Sequence, residues 1–268
     1  MMTVDSSKIH GLILDMDGVI WRRYHPIGDL QEIFRRLEDG GWKLVLATNN
    51  STKTPQDYVQ TLAEFGVNVE SQQIINSSEA TASYLSTKYP QGGYVHIIGE
   101  EGLHKALKES GFAHVDFNDE EEILAVVVGM DRELDYQKIT KASLLIQQGV
   151  DFIGTNPDKT FPTPQGFYPG AGTGLAALEA ASGVTPTVIG KPQPAMFHVA
   201  LERLGTKPQE TLMIGDRLET DIVGGQRAGC HTALVLTGVS SQEEAATLSP
   251  QPDVIAKDLS AVLDIIEK

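Results

Sequence analysis

Four short groups of polar residues follow apolar runs in the sequence, and their residue types suit phosphate chemistry. Residues 15–18 read Asp-Met-Asp-Gly, residues 48–51 read Thr-Asn-Asn-Ser, residues 190–192 read Gly-Lys-Pro, and residues 215–221 read Gly-Asp-Arg-Leu-Glu-Thr-Asp. Taken alone, each group is ordinary turn or helix-capping chemistry. Four such groups at four strand ends are improbable as four independent turns, so we interpret them as one site.

Carboxylates dominate this predicted site, because it contains Asp15, Asp17, Asp216 and Asp221. Two unit charges about 4 Å apart repel each other by about 4 kcal/mol at an effective dielectric constant of about 20. A hard divalent cation relieves that repulsion, and Mg²⁺ suits a site with few carboxylates and a substrate phosphate. The sequence therefore predicts a Mg²⁺ site.

The remaining polar groups of the predicted site can hold an anion opposite the metal. Lys191 and the Thr48 hydroxyl, together with backbone amides near Asn49, are the groups that would do so. A metal, an anion holder and an exposed carboxylate together indicate phosphoryl transfer through an aspartyl-phosphate. Spacing alone does not decide whether Asp15 or Asp17 is the nucleophile.

The elements that must position these residues form an alternating pattern of strands and helices. Apolar runs predict strands at 9–14, 44–47, 94–98, 123–128, 152–153, 187–189, 211–214, 232–236 and 254–255. Amphipathic stretches predict helices at 30–37, 57–65, 79–88, 103–109, 136–147, 175–181, 195–204, 220–227 and 261–266. This alternation indicates a mostly parallel α/β sheet, in which ligands bind beyond the carboxyl ends of the strands. The glycine-rich run 170–174 is predicted as a turn before a helix, with no strand preceding it.

Composition narrows the class of protein. The chain has 268 residues, a net charge of −15 and 41% hydrophobic residues, which are enough to form a core. The acidity argues against nucleic acid and membrane partners, since both require clustered lysine and arginine. The single cysteine, Cys230, excludes a disulfide framework. The N-terminal residues lack the features of a signal peptide, so we expect a cytoplasmic protein.

The four groups of polar residues resemble the four motifs of the haloacid dehalogenase (HAD) superfamily, in the same order and at strand ends. Further runs are similar to the NagD-type phosphatases, which are also called class IIA or 4-nitrophenylphosphatase-like. These runs are Ala-Thr-Asn-Asn-Ser at 47–51, Thr-Asn-Pro-Asp at 155–158, Gly-Lys-Pro-Gln-Pro at 190–194 and Leu-Val-Leu-Thr-Gly at 234–238. The resemblance covers essentially the whole chain. It implies a doubly wound, mostly parallel α/β sheet, a HAD-like Rossmannoid core, with an inserted α/β cap domain.

The resemblance implies a role for each carboxylate of the predicted site. Asp15 would be the nucleophile and a Mg²⁺ ligand. Asp17 would be the general acid and base, and its backbone carbonyl would also bind the metal. Asp216 would be a metal ligand, and Asp221 would support the metal directly or through water.

The resemblance also implies the substrate contacts and the reaction. Thr48, Asn49 and Lys191 would hold the phosphoryl oxygens. The implied activity is Mg²⁺-dependent hydrolysis of small phosphomonoesters, such as a sugar phosphate, with 4-nitrophenyl phosphate as an artificial substrate. The partner would be a small phosphorylated metabolite, and two copies of the chain could pair through the cap. The alternatives are a phosphomutase of the same superfamily and a non-catalytic phospho-acceptor or scaffold.

The separation of the second and third motifs predicts where the cap is inserted. More than half the chain lies between Thr48 and Lys191, and one or two strand–helix units of the core do not fill it. By resemblance, residues 81–186 would form the cap, while residues 1–80 and 187–268 would form the catalytic core. Loops of a cap carry specificity. Three polar residues there could therefore contact substrate, although ordinary turn chemistry explains them equally well: Asp131, Asn156 and Asp158.

Overall fold

The structure is a computed structural model that describes residues 5–23, 25–117, 121–163 and 165–267. The chain divides into two compact units. Unit 1 consists of Met1–Thr48, Pro55–Ile75 and Lys191–Lys268, and unit 2 consists of Asn49–Thr54 and Asn76–Gly190. The domain boundaries expected from the sequence, at 81 and 186, stay a prediction.

The strands and helices alternate along the chain. The strands are β1 (Gly11–Leu14), β2 (Trp21–Arg22), β3 (His25–Pro26), β4 (Lys43–Thr48), β5 (Ile74–Asn76), β6 (Gly93–Ile98), β7 (Phe112–His114), β8 (Ile123–Val128), β9 (Asp151–Gly154), β10 (Thr160–Thr163), β11 (Gly166–Pro169), β12 (Thr187–Val188), β13 (Thr211–Gly215), β14 (His231–Val235) and β15 (Val254–Ala256). The α-helices are α1 (Leu30–Asp39), α2 (Pro55–Glu64), α3 (Ser77–Lys88), α4 (Glu101–Glu109), α5 (Tyr136–Gln147), α6 (Ala171–Ser182), α7 (Pro194–Leu204), α8 (Val223–Arg227), α9 (Gln242–Thr247) and α10 (Leu259–Ile266). The predicted α/β class is confirmed.

Unit 1 is built on a sheet whose strand order is β15-β14-β13-β1-β4-β5. Strand β1 pairs in parallel with both β13 and β4, and its four residues are all buried. Such full burial explains why the strand is continuously apolar in sequence. The register places Leu14 opposite Ile214 on one side and Leu46 on the other, so the chain leaves these three neighbouring strands at the same edge.

The turn that follows β1 is held by a buried aromatic side chain. Trp21 is inaccessible to solvent, and its ring stacks on Tyr58 with the ring centroids 6.3 Å apart. The main-chain carbonyl of Trp21 accepts a hydrogen bond of 2.7 Å from the amide of Gly18. A buried aromatic residue of this size stabilises the fold by about 3–5 kcal/mol relative to alanine. The position of the Asp-Met-Asp-Gly turn is therefore fixed by the core of unit 1.

Unit 2 contains a second sheet, with the strand order β12-β9-β8-β6-β7 and parallel pairing. Its buried core includes Val126 and Val128 on β8, Leu145 on α5 and Leu178 on α6. Strands β10 and β11 form a separate antiparallel hairpin. Within the described parts of the chain, every helix is too short or too polar to cross a lipid bilayer.

The helix predicted at 220–227 is present, but it begins two residues earlier, as a π-helix over Leu218–Ile222 that continues into α8. One local expectation from the sequence is wrong. The glycine-rich run 170–174 is not a turn, because α6 begins at Ala171 and strand β11 ends one residue before Gly170. Glycine is required in this helix at Gly172, where a Cβ would come within 2.8 Å of the carbonyl carbon of Pro157.

Three histidines lie together at the β6–β7 edge of unit 2. The ring centroids of His96 and His114 are 5.4 Å apart, and His104 lies at the same distance from His114. The His96 ring donates from Nδ1 to the carbonyl of Val115 at 3.0 Å, while Nδ1 of His114 accepts from the amide of Ile97 at 3.0 Å. Burial is the main cause that lowers the pKa of all three histidines below the ordinary value.

We expect this cluster to make unit 2 less stable in acid. A histidine whose pKa is lower in the folded state binds fewer protons than in the unfolded chain, so the free energy of unfolding falls as the pH drops below about 6.5. Hydrogen exchange of peptides from β6 and β7, corrected for intrinsic rates, should show less protection at pH 5.5 than at pH 7.5. Peptides from α10 in unit 1 serve as the internal control. Equal protection of β6 and β7 at the two pH values would contradict the prediction.

Candidate active site

A buried lysine and two buried carboxylates form the centre of the site in unit 1. Asp15 follows β1, and its amide donates to the carbonyl of Ile214 at 2.9 Å. The Lys191 ammonium lies 2.5 Å from Oδ1 of Asp15 and 2.7 Å from Oδ1 of Asp221, and it donates to the carbonyl of Ala47 at 3.0 Å. The Lys191 side chain is only 2% exposed, so both ion pairs are shielded from water.

The carboxyl groups of Asp15 and Asp216 are difficult to ionise. Burial raises the pKa of Asp15 well above its usual 3.8; Lys191 opposes this effect, while Asp221 and Asp216 add to it. Burial and the charge of Asp221 raise the pKa of Asp216 to about 6. Burial alone would lower the pKa of Lys191, but the carboxylates of Asp15 and Asp221 outweigh it and raise that pKa. The lysine is therefore fully charged at neutral pH.

The segment after β13 positions Asp216 and Asp221. Asp216 directly follows the last residue of β13, and its Oδ2 accepts a hydrogen bond of 2.7 Å from the amide of Val239. Asp221 lies in the π-helix Leu218–Ile222, and its Oδ2 accepts from the amide of Arg217 at 3.1 Å. The wider π-helical turn thus returns Asp221 to the end of β13.

Glycines allow the backbone to approach Asp216 closely. Gly18 has a φ of +90°, and a Cβ at this position would lie 2.5 Å from Cγ of Asp216. Gly238 approaches the same carboxylate and leaves no room for a Cβ either. The Thr237 hydroxyl donates a short hydrogen bond to the carbonyl of Gly18, which joins the loop after β14 to the turn after β1. Only glycine satisfies both the space and the conformation at residue 18.

The donor set fits a hard divalent cation. Asp15, Asp216 and Asp221 each offer a carboxylate oxygen, and the three oxygens lie within 4.8 Å of one another. Oδ1 of Asp216 is buried and has no hydrogen-bond partner among the described residues. Three carboxylates against the single charge of Lys191 leave an excess of negative charge. Oxygen ligands of this kind are those that Mg²⁺ and Ca²⁺ prefer, so the three residues could hold such an ion.

The structure brings together four of the residues predicted for the site: Asp15, Lys191, Asp216 and Asp221. Asp17 lies two residues beyond Asp15, its side chain is exposed, and its backbone forms a bridge with Trp21. Thr48 is the last residue of β4, next to β1 in the sheet, and is buried. Asn49, the next residue, belongs to unit 2.

Within unit 2, Asn49 contacts two of the predicted cap residues. Its side-chain amide donates to Asp158 at 3.2 Å, and the side-chain amide of Asn156 donates to its backbone carbonyl at 2.8 Å. Asp131 is different, because its carboxylate forms an ion pair of 2.7 Å with Lys138 and accepts from the amide of Glu133. Asn49, Asn156 and Asp158 therefore form one hydrogen-bonded group, whereas Asp131 has a structural partner of its own.

Three contributors to the site are absent from the sequence-based prediction. They are the Val239 amide, the Ala47 carbonyl and the Thr237 hydroxyl, which contact Asp216, Lys191 and Gly18 respectively. Backbone groups carry no side-chain signal in a sequence. For Thr237 the sequence does contain a signal, because it is a polar residue just beyond the end of β14. Strand β14 is the neighbour of β13 in the sheet.

Comparisons with known proteins agree with this geometry. A model of the haloacid dehalogenase-like hydrolase family matches residues 12–113, and a HAD-hydrolase-like model matches residues 188–262. An acid sugar phosphatase of Staphylococcus aureus is 35% identical to this chain over 256 residues, which are 96% of this chain and 97% of that protein. Among solved structures, a 4-nitrophenylphosphatase from Thermotoga maritima has a TM-score of 0.90 at 32% identity, with 97% of this chain and 98% of that chain covered. NagD from E. coli K-12 has a TM-score of 0.87 at 34% identity, with 94% and 97% covered.

The fold and the buried carboxylate–lysine centre define a hydrolase of the haloacid dehalogenase superfamily. Relatives of this identity and coverage place the chain more narrowly: it belongs to the NagD-type phosphatases of that superfamily. It is therefore an enzyme, a phosphatase of the HAD type, as the sequence motifs predicted.

Proposed function

We propose that this phosphatase hydrolyses small phosphomonoesters in a Mg²⁺-dependent reaction that passes through an aspartyl-phosphate. The observation that carries the proposal is the buried Asp15 carboxylate, which lies 2.5 Å from Lys191 and beside Asp216 and Asp221. Asp15 directly follows β1, which lies between β13 and β4 in the sheet, and Lys191 opposes the effect of burial on the pKa of its carboxyl group. A perturbed carboxylate next to a cation is characteristic of functional sites.

In the first step, a carboxylate oxygen of Asp15 attacks the phosphorus atom of the ester. The bond between phosphorus and the ester oxygen breaks, and the carboxyl group of Asp17 gives its proton to that oxygen, so the alcohol leaves. The different exposure of the two side chains supports this division of roles, since Asp15 is buried and Asp17 is exposed. Proton transfer of this kind contributes about 10²–10⁴-fold to the rate.

In the second step, water releases the phosphate. The Asp17 carboxylate takes a proton from a water molecule, and the water oxygen attacks phosphorus. The bond between phosphorus and the Asp15 oxygen breaks, which regenerates the Asp15 carboxylate and the protonated Asp17 together with inorganic phosphate. The same residue acts first as acid and then as base, so the enzyme returns to its starting state.

The remaining residues hold charge. Lys191 favours the ionised form of Asp15, the form that attacks phosphorus, because its ammonium opposes the effect of burial. Lys191 and the Thr48 hydroxyl, with the amide of Asn49, would bind phosphoryl oxygens. Bound Mg²⁺ would supply further positive charge for these oxygens. The residues that would hold it are Asp15, Asp216 and Asp221, with the main-chain carbonyl of Asp17.

The names of the relatives support a substrate class. Proteins named acid sugar phosphatase and 4-nitrophenylphosphatase support a sugar phosphate or similar metabolite as substrate, with 4-nitrophenyl phosphate as an artificial one. A net charge of −15 repels phosphate esters at long range, so their capture depends on local charge at the site. We place the enzyme in the cytoplasm, acting on a small metabolite without nucleic acid or membrane, and propose a homodimer formed through the cap.

A panel assay tests the proposed function. Phosphate release should be measured from 4-nitrophenyl phosphate and a set of sugar phosphates, with Mg²⁺ and with EDTA. We expect release with Mg²⁺ and a loss of at least about 10²-fold with EDTA, because the excess negative charge of three carboxylates is then uncompensated. Re-addition of Mg²⁺ should restore the rate, which controls for irreversible unfolding.

Two outcomes would contradict the proposal. Equal release with Mg²⁺ and with EDTA would remove the metal dependence. If ³¹P NMR shows that an isomeric sugar phosphate forms without free inorganic phosphate, the phosphomutase alternative would be favoured.

A further inference from the structure

A cavity of about 640 Å³ opens in unit 1 beside the turn that follows β1. Described residues of β2 and β3 and their neighbours form most of its wall, and Thr237 in the loop after β14 completes it. The residues that line it are Arg22, Arg23, His25, Pro26, Ile27 and Thr237. The reaction steps proposed above use none of these side chains.

The lining of this cavity is cationic in a strongly acidic protein. Among its described residues are two arginines and a histidine and no acidic residue, although the chain carries 36 acidic against 21 basic side chains. No ion pair with an acidic side chain within the described ranges involves Arg22 or Arg23. Arginines that line a concave surface without acidic partners attract anions.

One of the two arginines is fixed to the wall of the cavity. Nη2 of Arg22 donates to the carbonyl of Thr237 through a short hydrogen bond and to the carbonyl of Gly238 at 3.4 Å. Arg23 is exposed, and its backbone φ is +51°. Arg22 thus has a structural bond, whereas no residue in the described parts of the chain forms a hydrogen bond or ion pair with the guanidinium of Arg23.

The cavity adjoins the proposed reaction centre through main-chain bonds. The amide of Gly18 donates to the carbonyl of Trp21, the residue before Arg22, at 2.7 Å. The hydroxyl of Thr237, which lines the cavity, donates to the carbonyl of Gly18. Gly18 directly follows Asp17 in sequence, so a ligand that occupies the cavity lies next to the turn that carries the acid and base.

We infer that this cavity binds a second anionic group of the substrate, a carboxylate or a phosphate, while the reacting phosphoryl group lies at Asp15. The inference rests on the proposed function. It narrows the substrate class to phosphomonoesters that carry another negatively charged group. Arginine suits this role, because its planar guanidinium donates two parallel hydrogen bonds to either group.

Matched substrate pairs test the inference. Phosphoglycolate has a carboxylate that ethyl phosphate lacks, and glucose 1,6-bisphosphate has a second phosphate that glucose 6-phosphate lacks. The readout is the ratio of kcat/KM for the doubly anionic member of a pair to that for the singly anionic member. We expect Arg23→Gln to lower this ratio about tenfold or more, since the charge-assisted hydrogen bonds of the guanidinium are lost. Arg23→Lys keeps the charge but not the planar pair of donors, so it should lower the ratio by less than Arg23→Gln does.

Arg227→Gln is the matched control. Arg227 is exposed near the end of α8, and its replacement removes one positive charge at a site outside the cavity. The control should leave the ratio unchanged, which separates a local contact from the net charge of the protein. Thermal unfolding of each variant shows whether the fold is intact.

The outcomes separate this inference from the proposed function. Hydrolysis of ethyl phosphate or glucose 6-phosphate with Mg²⁺ supports the proposed function whatever the ratio does. A ratio that is the same in Arg23→Gln and the wild-type enzyme for both pairs would overturn the inference. A further outcome would combine an unchanged ratio with inhibition by inorganic sulfate. If that inhibition persists at saturating substrate and disappears in Arg23→Gln, the cavity binds a separate anion, and this result also overturns the inference.

Discussion

Asp15→Asn should lower the turnover of 4-nitrophenyl phosphate by about 10⁴-fold or more, because an amide does not act as the nucleophile in the first step. The change preserves the shape of the side chain. Lys191 keeps its ion pair with Asp221 and its hydrogen bond to the carbonyl of Ala47. One of three neighbouring buried negative charges is also removed. We therefore expect the midpoint of thermal unfolding to change by only a few degrees.

The matched control for this variant is Asp39→Asn. Asp39 is at the end of α1, its side chain is 64% exposed, and its ion pair with Arg35 is a surface pair. Its replacement should leave turnover unchanged, because Asp39 is not a residue of the site. It should also change the stability little, because surface pairs contribute about 0–1 kcal/mol. Mass spectrometry must exclude deamidation of the introduced asparagine back to aspartate. A residual rate above one hundredth of the wild-type rate, with deamidation excluded, would assign the nucleophile to another residue.

The central strands and the longer helices are the elements that the sequence predicts best. The expected strand at 123–128 and helix at 136–147 coincide with β8 and α5. Both have a strong signal: β8 is a continuous apolar run that is buried at its carboxyl end, and α5 begins at a capping Asp135 whose side chain accepts from the amide of Lys138. Local chemistry is sufficient for such elements.

Several short elements have no such signal. Strands β5 and β7 contain three residues each, and strands β2 and β3 contain two each. The residues of these four strands show neither alternation nor an apolar stretch of useful length. These strands form because their neighbours in the sheet offer free backbone groups, as β6 does for β7. Pairing partners elsewhere in the chain determine them, and sequence pattern does not.

In the site, too, the sequence predicts some features and not others: it predicts the carboxylates, but not the backbone contacts and the burial that act on them. Asp15, Asp216 and Asp221 lie within hydrogen-bonding or metal-sharing distance, as the motifs at strand ends predicted. The backbone amide of Val239 and the close approach of Gly238 depend on how the loop after β14 folds. The pKa of about 6 at Asp216 likewise depends on burial, which the sequence does not give.

Lys191→Met should impair both activity and stability. Methionine has a similar length but no charge, so Asp15 and Asp221 lose the cation that lies 2.5 Å and 2.7 Å from them. Removal of one partner from a buried ion pair costs about 3–5 kcal/mol of unfolding free energy. The lost phosphoryl contact should lower kcat/KM by about 10²–10³-fold. Urea unfolding in EDTA and steady-state kinetics in Mg²⁺ measure the two effects separately.

The pH dependence identifies charge as the cause of the lost stability. Carboxylates with a folded-state pKa above the ordinary 3.8 bind more protons in the folded than in the unfolded state. Their unfavourable contribution to the free energy of unfolding therefore shrinks as the pH falls from above about 6 towards 4. The stability difference between Lys191→Met and the wild-type protein in EDTA should therefore be smaller at pH 5 than at pH 8. Lys257→Met, at a side chain that is 80% exposed, should show no difference at either pH. An equal loss at pH 5 and pH 8 would assign the effect of Lys191 to packing, because the volume of a side chain does not change with pH.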